Sequence, residues 1–377
     1  MSIIALFKLK LNRLVRYLTD ALEFDVDFIV LKNTNSLKYV FSEIYYPPPE
    51  EIAVHRVLFD VRSNSIDIYV SPLEHYRIQE IYGDSDANVY SVLSSCIDIP
   101  QDIKCVEKSS LDSILMGKDS RYKRVAIDDT SICEETICID ISKIIRKIRR
   151  TKMVEELEII KKAVEIAETA LQNVVPCIIQ GISELMLASL IENEARKLGA
   201  EGFAFSPIIA IGENAAKPHH IPSKRSFTGR EPILVDFGVR ISGYVCDITR
   251  VIMPKNINSE YSKILDIIED AVEYAISLAR EGTECSKIDE EVRNMFKKLD
   301  LHRYFLHGLG HGIGIDVHEE PRITRSSKDI LIEGDVITIE PGIYVYGKYG
   351  FRLEDDILVS KNGCDVFSKT KRVLELW

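Results

Sequence analysis

The 14 residues from His307 to Glu320, HGLGHGIGIDVHEE, hold three histidines and two adjacent glutamates between glycines. The whole chain has only eight histidines, so ligand-type side chains are concentrated here. The segment lacks the second histidine that the H-E-x-x-H motif of helical zinc peptidases needs. Its glycine spacing echoes a phosphate-cradling loop, but no dinucleotide-binding unit follows it. Metal binding or acid–base work is the chemistry left open.

Acids at matched positions give a second signal. In EPILVDFGVRISGYVCDITR, Asp236 and Asp247 lie symmetrically about the Ile241–Ser242 step. A tight hairpin centred there places them opposite each other, with Cβ atoms about 5 Å apart. In DVITIEPGIYVYGKYGFRLEDDILVS, Glu340 and Glu354 are symmetric about Gly347. Paired carboxylates in apolar strands repel unless a cation lies between them. One such pair is ordinarily a solvated sheet face. Two pairs built alike point to cations shared by both hairpins.

Four carboxylates and one histidine from the 307–320 segment make an oxygen-rich set with one imidazole. That mix suits Mn²⁺, Co²⁺, Fe²⁺ or Zn²⁺ rather than a cysteine-type structural zinc. Five ligands exceed the need of one catalytic zinc and suit two metals with bridging carboxylates. Four negative charges balance two divalent cations, and a water between them gives up a proton near neutral pH. His219 and His220 follow Pro218 in a loop, where a histidine is ordinarily a surface residue. His318 stands seven residues beyond His311, near the same place. His302 is read as structural.

These residues need elements to hold them. With 377 residues, two domains are expected, and 46% hydrophobic content supports a sizeable core. The net charge of −11 excludes a basic field for nucleic acid. No stretch approaches the roughly 20 apolar residues that cross a membrane. The N-terminus is broken by Lys8, Lys10, Arg13 and Arg16, so it reads as an amphipathic helix with Leu11, Leu14, Val15, Leu18 and Leu22 in helical spacing. VDFIVLK, KRVAIDDT and the two halves of HRVLFDVRSNSIDIYVS read as strands of a small α/β domain over residues 1–147. Residues 148–377 form an α+β domain. Met153, Leu157, Ile160, Val164, Ala167 and Leu171 stripe its first helix, with Thr151 as the expected cap. Three further helices are SELMLASLIENEARKLG, SEYSKILDIIEDAVEYAISLAR and CSKIDEEVRNMFKKLD. None of the cysteines at 96, 105, 133, 138, 177, 246, 285 and 364 forms C-x-x-C. The expectation is reduced thiols in a cytoplasmic protein.

At the acids and histidines the sequence resembles the pita-bread metallopeptidases, in their aminopeptidase P and prolidase branch. The matching pieces are PHH, LVDFGVRISGYVCDITR, HGLGHGIGIDVHE, ITIEPGIY and FRLEDDILV, in the family's order. IRRTKMVEELEIIKKA resembles the start of the catalytic domain, and the resemblance extends over essentially the whole chain. It implies a C-terminal pita-bread catalytic domain behind an N-terminal creatinase-like α/β domain. It implies Asp236, Asp247, His311, Glu340 and Glu354 as ligands of two divalent ions, Mn²⁺ or Co²⁺ first and Zn²⁺ or Fe²⁺ next, with Asp247 and Glu354 bridging. It implies His219 and His318 beside the scissile carbonyl, with His307, Tyr344 and Arg352 around the substrate. The implied reaction is hydrolysis of an Xaa-Pro bond by a bridging hydroxide, on small peptides with proline second or on dipeptides. Glu340 is the residue to carry the proton. His219, His318 and Glu340 are thus the expected catalytic set. Arg322 and Arg325 are candidates to hold a proline carboxylate. Family precedent adds a homodimer. The competing readings are a metal-free creatinase-like hydrolase and a non-catalytic binding member of the same fold.

Overall fold

The computed structural model describes residues 3–22, 26–41, 54–83, 87–97, 99–111, 124–132, 137–255 and 258–376. The chain divides into two compact units, Met1–Arg149 and Arg150–Trp377.

The first unit is built on a seven-stranded sheet. Phe28–Leu31 lies near its middle, antiparallel to Val54–Asp60 and parallel to Arg124–Ile127. Val54–Asp60 and Ser65–Val70 pair antiparallel around a turn in which Asn64 takes φ 57°, as the sequence suggests. The N-terminal helix Ile3–Leu22 buries Leu11, Leu14 and Leu18. Cys96 and Cys105 form a disulfide with Cα atoms 5.8 Å apart, and Cys138 is disulfide-bonded too. The expectation of reduced thiols fails at these positions. Pairing depends on how closely the fold brings two Cβ atoms, which spacing along the chain does not reveal. Cys177, Cys246, Cys285 and Cys364 are free, and Cys133 lies outside the described residues.

The second unit opens with the helix Val154–Val174, which buries Ile160, Val164, Ala167 and Leu171. Thr151 does not cap it. Thr151 bridges to Asp335 instead, and the Glu156 carboxylate accepts the Met153 N–H at 2.6 Å, satisfying one orphan amide of the first turn. Glu156 also accepts the Tyr244 hydroxyl at 2.5 Å. The expected later helices appear as Glu184–Lys197, Ser259–Leu278 and Cys285–Lys298. The last two pack Val272, Ile288 and Phe296 into one apolar cluster with Ile337, Ile339 and Phe351. Among the described residues no helix is long and apolar enough to cross a membrane.

Two hairpins run through this unit. In the first, Ile233–Phe237 pairs with Ile248–Met253, and Val239–Ile241 pairs with Tyr244–Val245. Its turn is Ser242-Gly243, with φ 45° and 76°, the positive pair that a two-residue type I′ connection requires. Register is therefore centred one residue later than the sequence suggested. Asp236 faces Thr249, not Asp247. The offset is two residues on one strand, so both acids stay on one face of the pleat. In the second hairpin, Val336–Ile339 pairs with Asp355–Ser360 and Gly342–Val345 with Tyr349–Arg352. Both ladders are symmetric about Gly347, the register expected, with Glu340 and Glu354 at the junction between them. The isolated bridge Thr249↔Glu354 ties the two hairpins together.

Candidate metal centre

The four acids and the histidine expected as ligands all line one cavity of about 730 Å³. Asp247, His311 and Glu354 each offer a ligand atom within 4.8 Å of the others'. Glu340 Oε1 is 3.5 Å from His311 Nε2, and Asp247 Oδ2 is 3.9 Å from it. Asp236 reaches the group from the first hairpin, held by the Arg352 guanidinium.

The local sequence sets these positions. His311 lies on the short strand Gly310–Gly312, whose neighbours are Glu319–Ile323 and Val336–Ile339. A Cβ on Gly310 would stand 2.0 Å from the Thr338 carbonyl oxygen, so only glycine lets this strand approach so closely. That glycine serves the packing of the sheet and also lines the cavity. The His311 N–H donates to Thr338 Oγ1 at 3.1 Å. Its Nδ1 lies 3.1 Å from the Gly312 carbonyl and is assigned as the protonated nitrogen. The Nε2 lone pair is then aimed at the carboxylates.

Electrostatics favour a cation. Burial, then the charges of Glu354 and Asp236, push Asp247 well above the ordinary aspartate range. Glu340 is pushed up likewise by burial and Glu354, and Glu354 to about 8 by burial and Asp236. Burial, then His318, lowers His311 to about 3, leaving it neutral, the form that ligates metal. Asp236 Oδ1 and Asp247 Oδ1 are buried with no hydrogen-bond partner. Converging carboxylates, a neutral imidazole and two orphaned buried oxygens fit divalent cations.

Residues that spacing did not reveal brace this group. Thr249 Oγ1 donates to Glu354 Oε2 at 2.5 Å and accepts from Arg352 Nε at 3.2 Å. Asp356 Oδ2 accepts the Asp247 N–H at 2.9 Å. Buried Arg250 donates to the Glu354 carbonyl at 2.7 Å and pairs with Glu168 and Asp355 at 3.1 and 3.0 Å. One signal was present: three consecutive acids, Glu354-Asp355-Asp356, in an apolar strand. Alternation turns Glu354 and Asp356 to the cavity side and Asp355 to the arginines Arg250 and Arg372 behind it.

The cavity wall carries His219, His307, His318 and Arg352. His219 and His318 are exposed on it. The His318 ring stands 4.4 Å from that of His311, and burial, then the Arg322 charge, lowers its pKa. Burial, then Arg352, lowers His307 to about 3. His307 Nδ1 faces the Gly308 carbonyl at 2.8 Å, so Nε2 accepts the Tyr344 hydroxyl at 2.8 Å. Tyr344 in turn accepts from Arg352 Nη1 at 2.6 Å. Tyr344 is buried behind His307 and does not line the cavity. Arg322 does line it, whereas Arg325 is 65% exposed and 3.9 Å from Asp289. Glu319 accepts Lys152 Nζ at 3.2 Å and the N–H groups of Ile315 and Asp316 at 3.0 and 3.2 Å, holding the turn that carries His318.

Comparison with known proteins gives a family match, relatives and similar folds. Residues 158–361 match the model of metallopeptidase family M24. The chain is 37% identical over 234 residues to an Xaa-Pro dipeptidase of Pyrococcus furiosus, covering 62% of this chain and 67% of that protein. Its fold is similar to an X-Pro aminopeptidase of Thermotoga maritima, with TM-score 0.80, 26% identity and coverage of 97% and 98% of the two chains. A dipeptidase of Pyrococcus horikoshii is similar too, with TM-score 0.78, 29% identity and coverage of 98% and 100%.

Proposed function

The chain belongs to metallopeptidase family M24 and has its α+β pita-bread fold, and from that footing we propose that it is an Xaa-Pro dipeptidase working with two divalent cations. One observation carries the reading. The Asp236, Asp247, His311, Glu340 and Glu354 cluster opens on the same cavity as His219, His318 and a cationic wall residue, Arg322. Relatives named Xaa-Pro dipeptidase support it.

Those five residues would hold the cations, Mn²⁺ or Co²⁺ suiting four carboxylates and one imidazole. Bound there, the cations supply a polarising charge for the carbonyl and a water acidic enough to give hydroxide near neutral pH. The chain's residues do the rest. The Xaa-Pro bond has no N–H to recognise, so the cavity must select the ring by shape. His318 and His219 present ring N–H groups to the carbonyl oxygen as negative charge develops on it. Glu340 takes a proton from the attacking water and returns it to the departing ring nitrogen. Arg322 receives the proline carboxylate of a dipeptide, which excludes a longer chain from the same place.

The test is hydrolysis of Xaa-Pro against Xaa-Pro-Yaa by chelated protein reloaded with Mn²⁺. We expect chelation to abolish turnover and the dipeptide to be preferred. Arg322→Ala should raise KM for Xaa-Pro by roughly 10- to 100-fold, the loss of a charged hydrogen bond, without raising it for the tripeptide. Equal cleavage of both peptides makes the enzyme an aminopeptidase. Full activity after chelation sinks the metal-dependent reading.

A further inference from the structure

The adjacent histidines His219 and His220 have different fates, and a carboxylate remote from the metal cluster decides them. Glu184 is the first residue of the helix Glu184–Lys197, whose cap Ser183 accepts the Met186 N–H at 3.2 Å. The Glu184 side chain is fully buried against the segment from Ile211 to Ser223. Its Oε1 accepts from the Ile211 N–H and from Asn214 Nδ2, both at 2.9 Å. Its Oε2 accepts from His220 Nε2 at 2.8 Å, the Ser223 N–H at 2.9 Å and Ser223 Oγ at 2.6 Å. Burial alone would raise this carboxyl; the donors, His220 foremost, outweigh it and hold the group below the ordinary glutamate range.

An ionised carboxylate is acceptor-only, which suits five donors converging on its two oxygens. The segment it holds has little ladder of its own beyond a short 3₁₀ turn at Gly212–Ala216. His220 is 9% exposed with Nε2 committed to Glu184. His219 stands exposed on the cavity wall.

We infer that Glu184 is the positioning residue for His219: by gathering Ile211, Asn214, His220 and Ser223 it fixes the loop that presents His219 to the substrate. This rests on the reading that His219 meets the substrate of an Xaa-Pro peptidase. His220 is then a structural anchor.

The experiment is a double-mutant cycle of Glu184→Gln with His219→Ala on the metal-loaded protein, read as kcat/KM on an Xaa-Pro dipeptide. The glutamine keeps the shape but turns an amide NH₂ toward donors. A misplacement of about 1 Å costs on the order of 100-fold, so that loss is expected in the otherwise natural protein. In the His219→Ala background the same change should add almost nothing. Equal losses in both backgrounds overturn the inference. Ser223→Ala, which deletes one donor, is the gentler variant and should show the same dependence on His219 at smaller amplitude. Amide exchange gives a readout independent of turnover. Glu184→Gln should speed exchange at Ile211 and Ser223 while Ile233–Phe237 stays protected. Unchanged exchange at those two amides overturns the inference whether or not the protein cleaves Xaa-Pro. Absent turnover with altered exchange counts against the cleavage reading alone.

Discussion

The two hairpins of the second unit carry the same cargo by different routes. Glu340 and Glu354 stand at the junction of two ladders that share one register about Gly347. Asp236 and Asp247 do not oppose each other; Asp236 faces Thr249 across a hairpin turned at Ser242-Gly243. Both arrangements deliver two acids to one cavity. Parity, not opposition, is what the site needs, because residues an even number apart share a face. The hairpins also brace each other. Arg352 of the second holds Asp236 of the first, and Thr249 of the first donates to Glu354 of the second. Neither hairpin completes the site alone.

Neutralising one acid on each hairpin is the strongest way to break that equivalence. Asp247→Asn and Glu354→Gln keep volume and remove one charge. Losing the charge stabilisation of a metal centre, several kcal/mol, corresponds to roughly 1,000-fold or more in kcat. We expect losses of that order for both variants, with less divalent metal retained on elemental analysis. Near-normal turnover in one of them would show that its hairpin supplies scaffold and not ligands.

The same contrast explains what was legible beforehand. Helix stripes such as Ile160, Val164, Ala167 and Leu171 were plain, because burial on one face imposes a 3.6-residue period. The second register was readable since Gly347 is the natural centre of its loop. The first was not: Ile241-Ser242 and Ser242-Gly243 both resemble turns, and positive φ at both Ser242 and Gly243 decides between them. The acids survived that error because it was even. The braces were hidden for another reason. Thr249 and Glu354 are 105 residues apart, and nothing local marks a threonine as the partner of a distant glutamate. The resemblance puts Tyr344 around the substrate; its hydroxyl instead joins His307 and Arg352 behind the cavity wall. The disulfide Cys96–Cys105 escaped because spacing along the chain does not show how closely the fold brings two Cβ atoms.

A smaller effect sharpens the electrostatic half of the comparison. In the cation-free protein Glu354 is raised from its ordinary 4.5 to about 8. The folded chain then keeps a proton that the unfolded chain has released at neutral pH. That contribution is complete below about 4.5 and is lost as pH rises through about 8. Chelated protein should therefore melt at lower temperature at pH 8.5 than at pH 6. Cations replace the protons, so one fixed Mn²⁺ concentration should raise Tm more at the higher pH, where Kd is lower; a hundredfold excess over Kd adds about 2.7 kcal/mol of stability. Thermal melts across this range decide it. An equal Mn²⁺ increment at both values would mean that protons do not compete with metal for the clustered acids.

The smallest expected effect asks what holds the first register. Gly243 adopts φ 76°, where a side chain costs about 1 kcal/mol. Gly243→Ala should lower stability by that amount in a denaturant titration. If the turn alone aligned Asp236 with its surroundings, the strain would reach the acids and turnover would fall with stability. The paired strand Ile233–Phe237 is held on both sides, by Ile248–Met253 and by Ile208–Ile211, and Asp236 is tied to Arg352. Strain at the turn is thus separated from the acid by a ladder and an ion pair. The variant should keep its kcat/KM while losing stability. A parallel loss of both would transfer control of the register from the braces to Ser242-Gly243.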